Sequence, residues 1–282
     1  MQSYFLVHDY DKTAAFTNTP SPNGWTVDLA YQSAIKDVLG DDGLRIFESQ
    51  GGLRNRSPLE IVRDILETRE AAELRQIANA LVVTKLSYLI PEISDSWPLP
   101  TRGFKDYWNK IRDLNDENID ITMGIVSSGH AEFIRATFKV WDLPQPDILI
   151  SEDDIRNMEI PSTDLRVKPG PLPLALAYEG WIHITGQERG ISALSAPGKI
   201  AYFGDDSYKD GRMADMVGVP FGLFTTDGNT GGRKMVFSDW NKVSDILIQN
   251  QDLLAEGKPL GEILRPDKFQ GIESVSNYAM RS

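Results

Sequence analysis

The sequence predicts an α/β fold, a doubly wound parallel sheet core with a second, smaller all-helical domain inserted near its start. Two observations predict it. Short continuous apolar runs bounded by turn residues recur along the chain, and a long stretch of helical periodicity separates the first run from the second. Runs of that kind mark strands buried on both faces rather than alternating, half-exposed ones.

The strands are expected at "YFLV" (Tyr4 to Val7), "TMGIV" (Thr122 to Val126), "DILI" (Asp147 to Ile150), "KIAYF" (Lys199 to Phe203) and "PFGLF" (Pro220 to Phe224). Between them, "HAEFIRATFKVW", "PLALAYEGW" and "GRMADMVG" suit crossover helices, so helices should cover both faces. Roughly 100 residues lie between the first two strands, from about Thr17 to Asn118, too many for a structureless loop. In that stretch Val27, Tyr31, Ala34, Ile35 and Val38 fall on one helical face, with Thr26 as cap and Gly40 as stop. Ser57, Pro58 at the first helical position and Glu60 form a capping box for the next helix. "EAAELRQIANALVVTKLSYLI" and "FKDYWNKIRDL" supply two more. The expected organisation is a core of residues 1–18 and 116–257, a helical cap of residues 19–115, and a polar tail, 258–282, left unassigned.

At 282 residues the chain can bury a core without a staple, and with no cysteine it has no disulfide, thiolate metal site or Cys nucleophile. No apolar run approaches the roughly 20 residues of a membrane helix. A formal charge of −12 disfavours a nucleic-acid partner, which needs clustered Lys and Arg. The expectation is a soluble, cytoplasmic enzyme acting on a small molecule, with neither a membrane nor a nucleic-acid partner.

In an open parallel sheet the residues beyond the carboxyl ends of the strands converge on one crevice. Those residues are Asp9, Asp11 and Thr13 after the first strand, and Ser127, Ser128 and Gly129 after the second. Lys168 follows the third, and Asp205, Asp206 and Asp210 follow the fourth. Carboxylates gathered this way raise one another's pKa unless a cation compensates them. A hard divalent ion such as Mg²⁺ suits an oxygen-rich site without His or Cys ligands. An aspartate so placed can attack a phosphoryl group, and a second carboxylate can serve the leaving alcohol and then water.

The set "DYDKT", "IVSSG", "KPGPLPLA" and "GDDSYKD", in this order and each after an apolar strand, resembles the phosphatase branch of the haloacid dehalogenase-like superfamily. The resemblance implies an Mg²⁺-dependent phosphatase for a small phosphorylated metabolite, with Asp9 as nucleophile, Asp11 as general acid and base, and Thr13 as a supporting hydroxyl. It further implies Ser127 as the phosphate-binding hydroxyl, Lys168 as the stabilising cation, and Asp9, Asp205 and the Asp11 carbonyl as metal ligands. Either Asp206 or Asp210 completes the metal shell. A phosphomutase would share all these residues. A phosphorylation-dependent signalling or scaffold domain is disfavoured, because receiver domains place their acidic pair before the phosphorylated Asp and carry no such insertion.

Lys12 stands where many members of the family have Gly. His8 should point away from the Asp9 side chain and be structural. In "GGLRNRSP", Arg54 and Arg56 could reach an anionic part of a substrate. His130 reads as polar surface in a first helical turn, Tyr107, Trp108 and Trp97 as bundle or hinge packing, and "TDGNTGGRK" as a loop.

Overall fold

A computed structural model describes residues 1–52, 56–66, 70–156, 158, 168–186 and 198–269. The main sheet has six parallel strands: β1 (Gln2–His8), β2 (Ile119–Val126), β3 (Ile148–Ile150), β4 (Ile200–Gly204), β5 (Phe221–Phe224) and β6 (Val236–Phe237). Their order across the sheet is β3-β2-β1-β4-β5-β6, which puts the first-made strand at the centre. This is the doubly wound arrangement, with its topological switch between β1 and β4. The five expected strands are present, and the sixth, two residues long, is additional.

The chain divides into two compact units, residues 1–16, 100–131 and 141–282 forming the first, and 17–99 with 132–140 the second. In the second unit lie α1 (Val27–Ser49), α2 (Pro58–Ile65) and α3 (Ala71–Leu89). The Thr26 hydroxyl accepts the Leu29 N–H, and Ser57 and Glu60 close the capping box in both directions. Gly40, with a left-handed φ of 75°, breaks α1 as a stop should; a further helical stretch then runs to Ser49. Tyr31, Ala34, Ile35, Phe47, Leu59, Ile61, Val62, Leu74, Ala78 and Leu81 form this unit's core. Trp97 packs edge-on against Phe133, 5.6 Å between ring centres.

The first unit contains α4 (Phe104–Arg112), which the periodicity had grouped with the inserted helices. Next come α5 (Ala131–Val140), clustered with the second unit from Glu132 onward, and α6 (Glu152–Arg156). They are followed by α7 (Leu172–Thr185), α8 (Lys209–Val217) and α9 (Trp240–Gln249). Alternation along β1 sends Phe5 and Val7 to one face, where Phe5 stacks on Trp181 of α7 at 5.9 Å, and His8 to the other. There His8 is fully buried among Phe104, Tyr107, Trp108, Phe203 and Trp240. Its Nδ1 lies 2.9 Å from the Gly124 carbonyl and its Nε2 2.7 Å from the Tyr107 hydroxyl. A carbonyl can only accept, so Nδ1 carries the proton and Nε2 receives one from Tyr107. The residues after Gly257 begin by packing: Leu260, Ile263 and Phe269 are buried, and Phe269 meets Phe237 at 6.1 Å. No helix among the described residues is long and apolar enough to cross a membrane.

Candidate active site

β1 ends by delivering Asp9, whose N–H donates to the Phe203 carbonyl on β4 at 2.8 Å. The chain then turns tightly. Ala14 and Ala15 donate to the Tyr10 carbonyl, and exposed Lys12, at a left-handed φ of 59°, donates its N–H to Ala15. The turn leaves Asp11 half-buried and carries Thr13 inward, where its hydroxyl reaches Asp205 at 3.5 Å. The Thr13 carbonyl is fixed in turn by the Thr101 hydroxyl and the Trp240 indole N–H.

Lys168 Nζ sits 2.5 Å from Asp9 Oδ1 and 2.9 Å from Asp210 Oδ1, with all three side chains nearly removed from solvent. One carboxylate oxygen from each of Asp9, Asp205 and Asp210 lies within 4.8 Å of the others. Burial pushes the Asp9 carboxyl well above the usual carboxylate range; Lys168 opposes this, while Asp210, Asp11 and Asp205 add to it. Burial, then Asp210, raises Asp205 to about 6. For Lys168, burial works against its charge, but Asp210 and Asp9 outweigh it and hold the ammonium above its ordinary value. One lysine therefore does not balance the cluster.

The second motif, Ser127 to Gly129, forms a hydrogen-bonded turn after β2. The Ser127 hydroxyl accepts the Gly129 N–H at 2.9 Å, the Ser127 N–H donates to Ile150, and the Gly129 carbonyl accepts from Glu152. Ser127 is buried, Gly129 half-buried and Ser128 exposed. Asp206 and Asp210 divide their labour. Asp206 Oδ1 accepts the N–H groups of Tyr208 and Lys209 at the start of α8, whereas Asp210 faces Asp9 and Asp205. Gly204 makes room for this, since a Cβ there would stand 2.4 Å from Asp210 Oδ2.

His130 is buried rather than surface-exposed, its Nδ1 2.9 Å from Asp153, whose second oxygen caps the Ala131 N–H. Arg56, in the second unit, bonds Asp64 at 3.0 Å, the Gln50 side chain and the Gly52 carbonyl, and lies over the Phe47 ring. Arg54 lies outside the described residues. Sequence reasoning passed over Tyr202 and Gly204; a tyrosine inside a buried strand was the available signal, because its hydroxyl requires a partner.

The donor set fits a divalent cation. Opposite ligands of Mg²⁺ stand about 4.2 Å apart at metal–oxygen distances of about 2.1 Å, close to the 4.8 Å within which these oxygens already lie. Asp9, Asp205 and Asp210 would hold the ion.

No family model and no curated protein matches the chain. Solved structures do. The chain is similar to β-phosphoglucomutase from Clostridium difficile, with 15% identity over 89% of this chain and 97% of that one and a TM-score of 0.54. It is also similar to CbbY from Rhodobacter sphaeroides in complex with phosphate, with 13% identity, 85% and 95% coverage and a TM-score of 0.51. A mutant of that protein in complex with xylulose-(1,5)bisphosphate gives 12% identity, the same coverage and a TM-score of 0.50.

Proposed function

We propose that this chain, whose fold is haloacid dehalogenase-like, is an Mg²⁺-dependent phosphatase acting on a small phosphorylated metabolite. The observation that carries the reading is Lys168 lodged between Asp9 and Asp210 at the carboxyl ends of the central strands. Asp9 attacks phosphorus with a carboxylate oxygen, forming an aspartyl phosphate as the P–O bond to the substrate breaks. Asp11, two residues on, gives its proton to the departing alcohol oxygen, then takes one from the water that attacks the aspartyl phosphate, returning Asp9 and releasing phosphate. Ser127, Ser128, Gly129 and Thr13 receive the phosphoryl oxygens, and Lys168 neutralises the charge gathering on them. Asp9, Asp205, Asp210 and the Asp11 carbonyl would hold Mg²⁺, which would supply the positive charge that Lys168 alone does not. Residues 19–115 would act as a cap that sets specificity, with Arg54 and Arg56 as its anion-binding candidates.

A phosphoglucomutase stands among the similar structures, and a mutase would use the same groups. A phosphate-ester panel with Mg²⁺, comparing the wild type with Asp9→Asn, tests the proposal. Steady hydrolysis by the wild type alone supports a phosphatase, turnover only with a bisphosphate primer makes the chain a mutase, and neither activity overturns both. Arg54→Ala and Arg56→Ala then test the cap residues on any substrate found.

A further inference from the structure

The Asp210 carboxylate is held from three sides, and one of them is unexpected. Oδ1 receives Lys168 Nζ at 2.9 Å and the Tyr202 hydroxyl at 3.1 Å, and Oδ2 receives the Asp206 N–H at 3.2 Å. Tyr202 is a strand residue without solvent contact, two positions before Gly204 and therefore on the same face of β4. The side chain absent at Gly204 leaves the space that Asp210 enters, and the Tyr202 hydroxyl meets the Asp210 carboxylate. Its ring is locked by stacking on Phe221 at 6.2 Å, and the Lys168 ammonium stands 5.4 Å from the ring centre, over the negative face of the π system. Tyr202 thus touches both the anion and the cation of the Asp210–Lys168 pair while lacking any surface to offer a substrate.

We propose that Tyr202 is a positioning residue that fixes the Asp210 carboxylate, and through it Lys168, in the orientation that admits a divalent cation beside Asp9 and Asp205. The inference rests on the metal-dependent reading of the site and extends it one layer outward. Partners behind a ligating carboxylate set its orientation, and their loss commonly weakens metal binding 10- to 100-fold. Without the hydroxyl, Oδ1 keeps only Lys168, so the carboxylate can rotate toward the ammonium and away from the site the ion needs.

The test is calorimetric titration of Mg²⁺ into the full chain, wild type against Tyr202→Phe, which preserves the ring, its stacking and its face toward Lys168. The expected result is an Mg²⁺ dissociation constant about 10-fold or more weaker. Activity, where measured, should be restored toward wild type by raising Mg²⁺. Tyr4→Phe serves as the control. It deletes the hydroxyl of another buried strand tyrosine, one that bonds the Leu254 and Lys258 carbonyls instead, and it should bind Mg²⁺ as the wild type does. Tyr202→Met, also without a hydroxyl, should weaken binding like Tyr202→Phe and replaces it if the phenylalanine chain does not fold. A hydroxyl-less variant that binds Mg²⁺ within twofold of a binding wild type overturns the role of Tyr202 alone. A wild type that binds no Mg²⁺ overturns the metal-dependent reading and takes this inference with it.

Discussion

The Lys168 ammonium touches Asp9 at 2.5 Å, across 159 positions of sequence, and both side chains are closed off from water. Replacing Lys168 with Met leaves Asp9 and Asp210 buried without their cation. Removing one partner of a buried pair typically costs about 3–5 kcal/mol. The Lys168→Met chain should therefore unfold at markedly lower denaturant without metal, recover part of that loss on adding Mg²⁺, and lose hydrolysis. Urea titrations with and without Mg²⁺ check all but the last, and a variant as stable as the wild type in EDTA would contradict the pairing.

Mg²⁺ itself should stabilise the chain. An ion that binds only the folded state adds about 2.7 kcal/mol when present at 100 times its dissociation constant. Thermal melts should rise with Mg²⁺ for the wild type and stay flat for Asp205→Asn, which removes one of the three clustered carboxylates.

His8 carries a pH dependence of known sign. Burial lowers its pKa from 6.5 to about 3; the hydrogen bond to the Gly124 carbonyl works against this and the charge of Arg112 adds to it. Between those two values the unfolded chain binds a proton that the folded chain refuses, so the stability His8 allows is complete above pH 6.5 and falls as pH drops toward 3. At pH 5 the loss is about 2 kcal/mol. Denaturation at pH 7.5 and pH 5 should show this gap in the wild type and a narrower one in His8→Phe.

In the second unit, Ser57→Ala should cost about 1 kcal/mol, because it strips the capping hydroxyl from the Glu60 N–H at the start of α2. Ser57→Gly should cost less. Equal losses for the two would mean that the hydroxyl does not act as a cap.

The strands were legible because residues buried on both faces leave an uninterrupted apolar run, and caps such as Thr26 and Ser57 were legible because their chemistry is local. Periodicity along Phe104–Arg112 announced a buried face without saying what buries it; Tyr107 and Trp108 in fact close around His8. The two-residue β6 carries too few positions to show a period. His130 gave no sign of burial, since its partner Asp153 lies 23 positions away, in the first turn of α6. The carboxylates stood out by type and spacing. Which of Asp206 and Asp210 turns toward Asp9 depends on main-chain N–H groups at the start of α8, and composition does not encode that.

The placement of β1 bears on how the molecule comes to exist. The strand is synthesised first, yet it is flanked on one side by residues 119–125 and on the other by 200–203. During translation the edge that pairs with β4 waits until residues 200–203 have been made, a situation that slows folding and invites self-association. The cluster of Asp9, Asp205 and Asp210 therefore assembles only after β4 has been made, and a nascent fragment ending before β4 should be a client for chaperones.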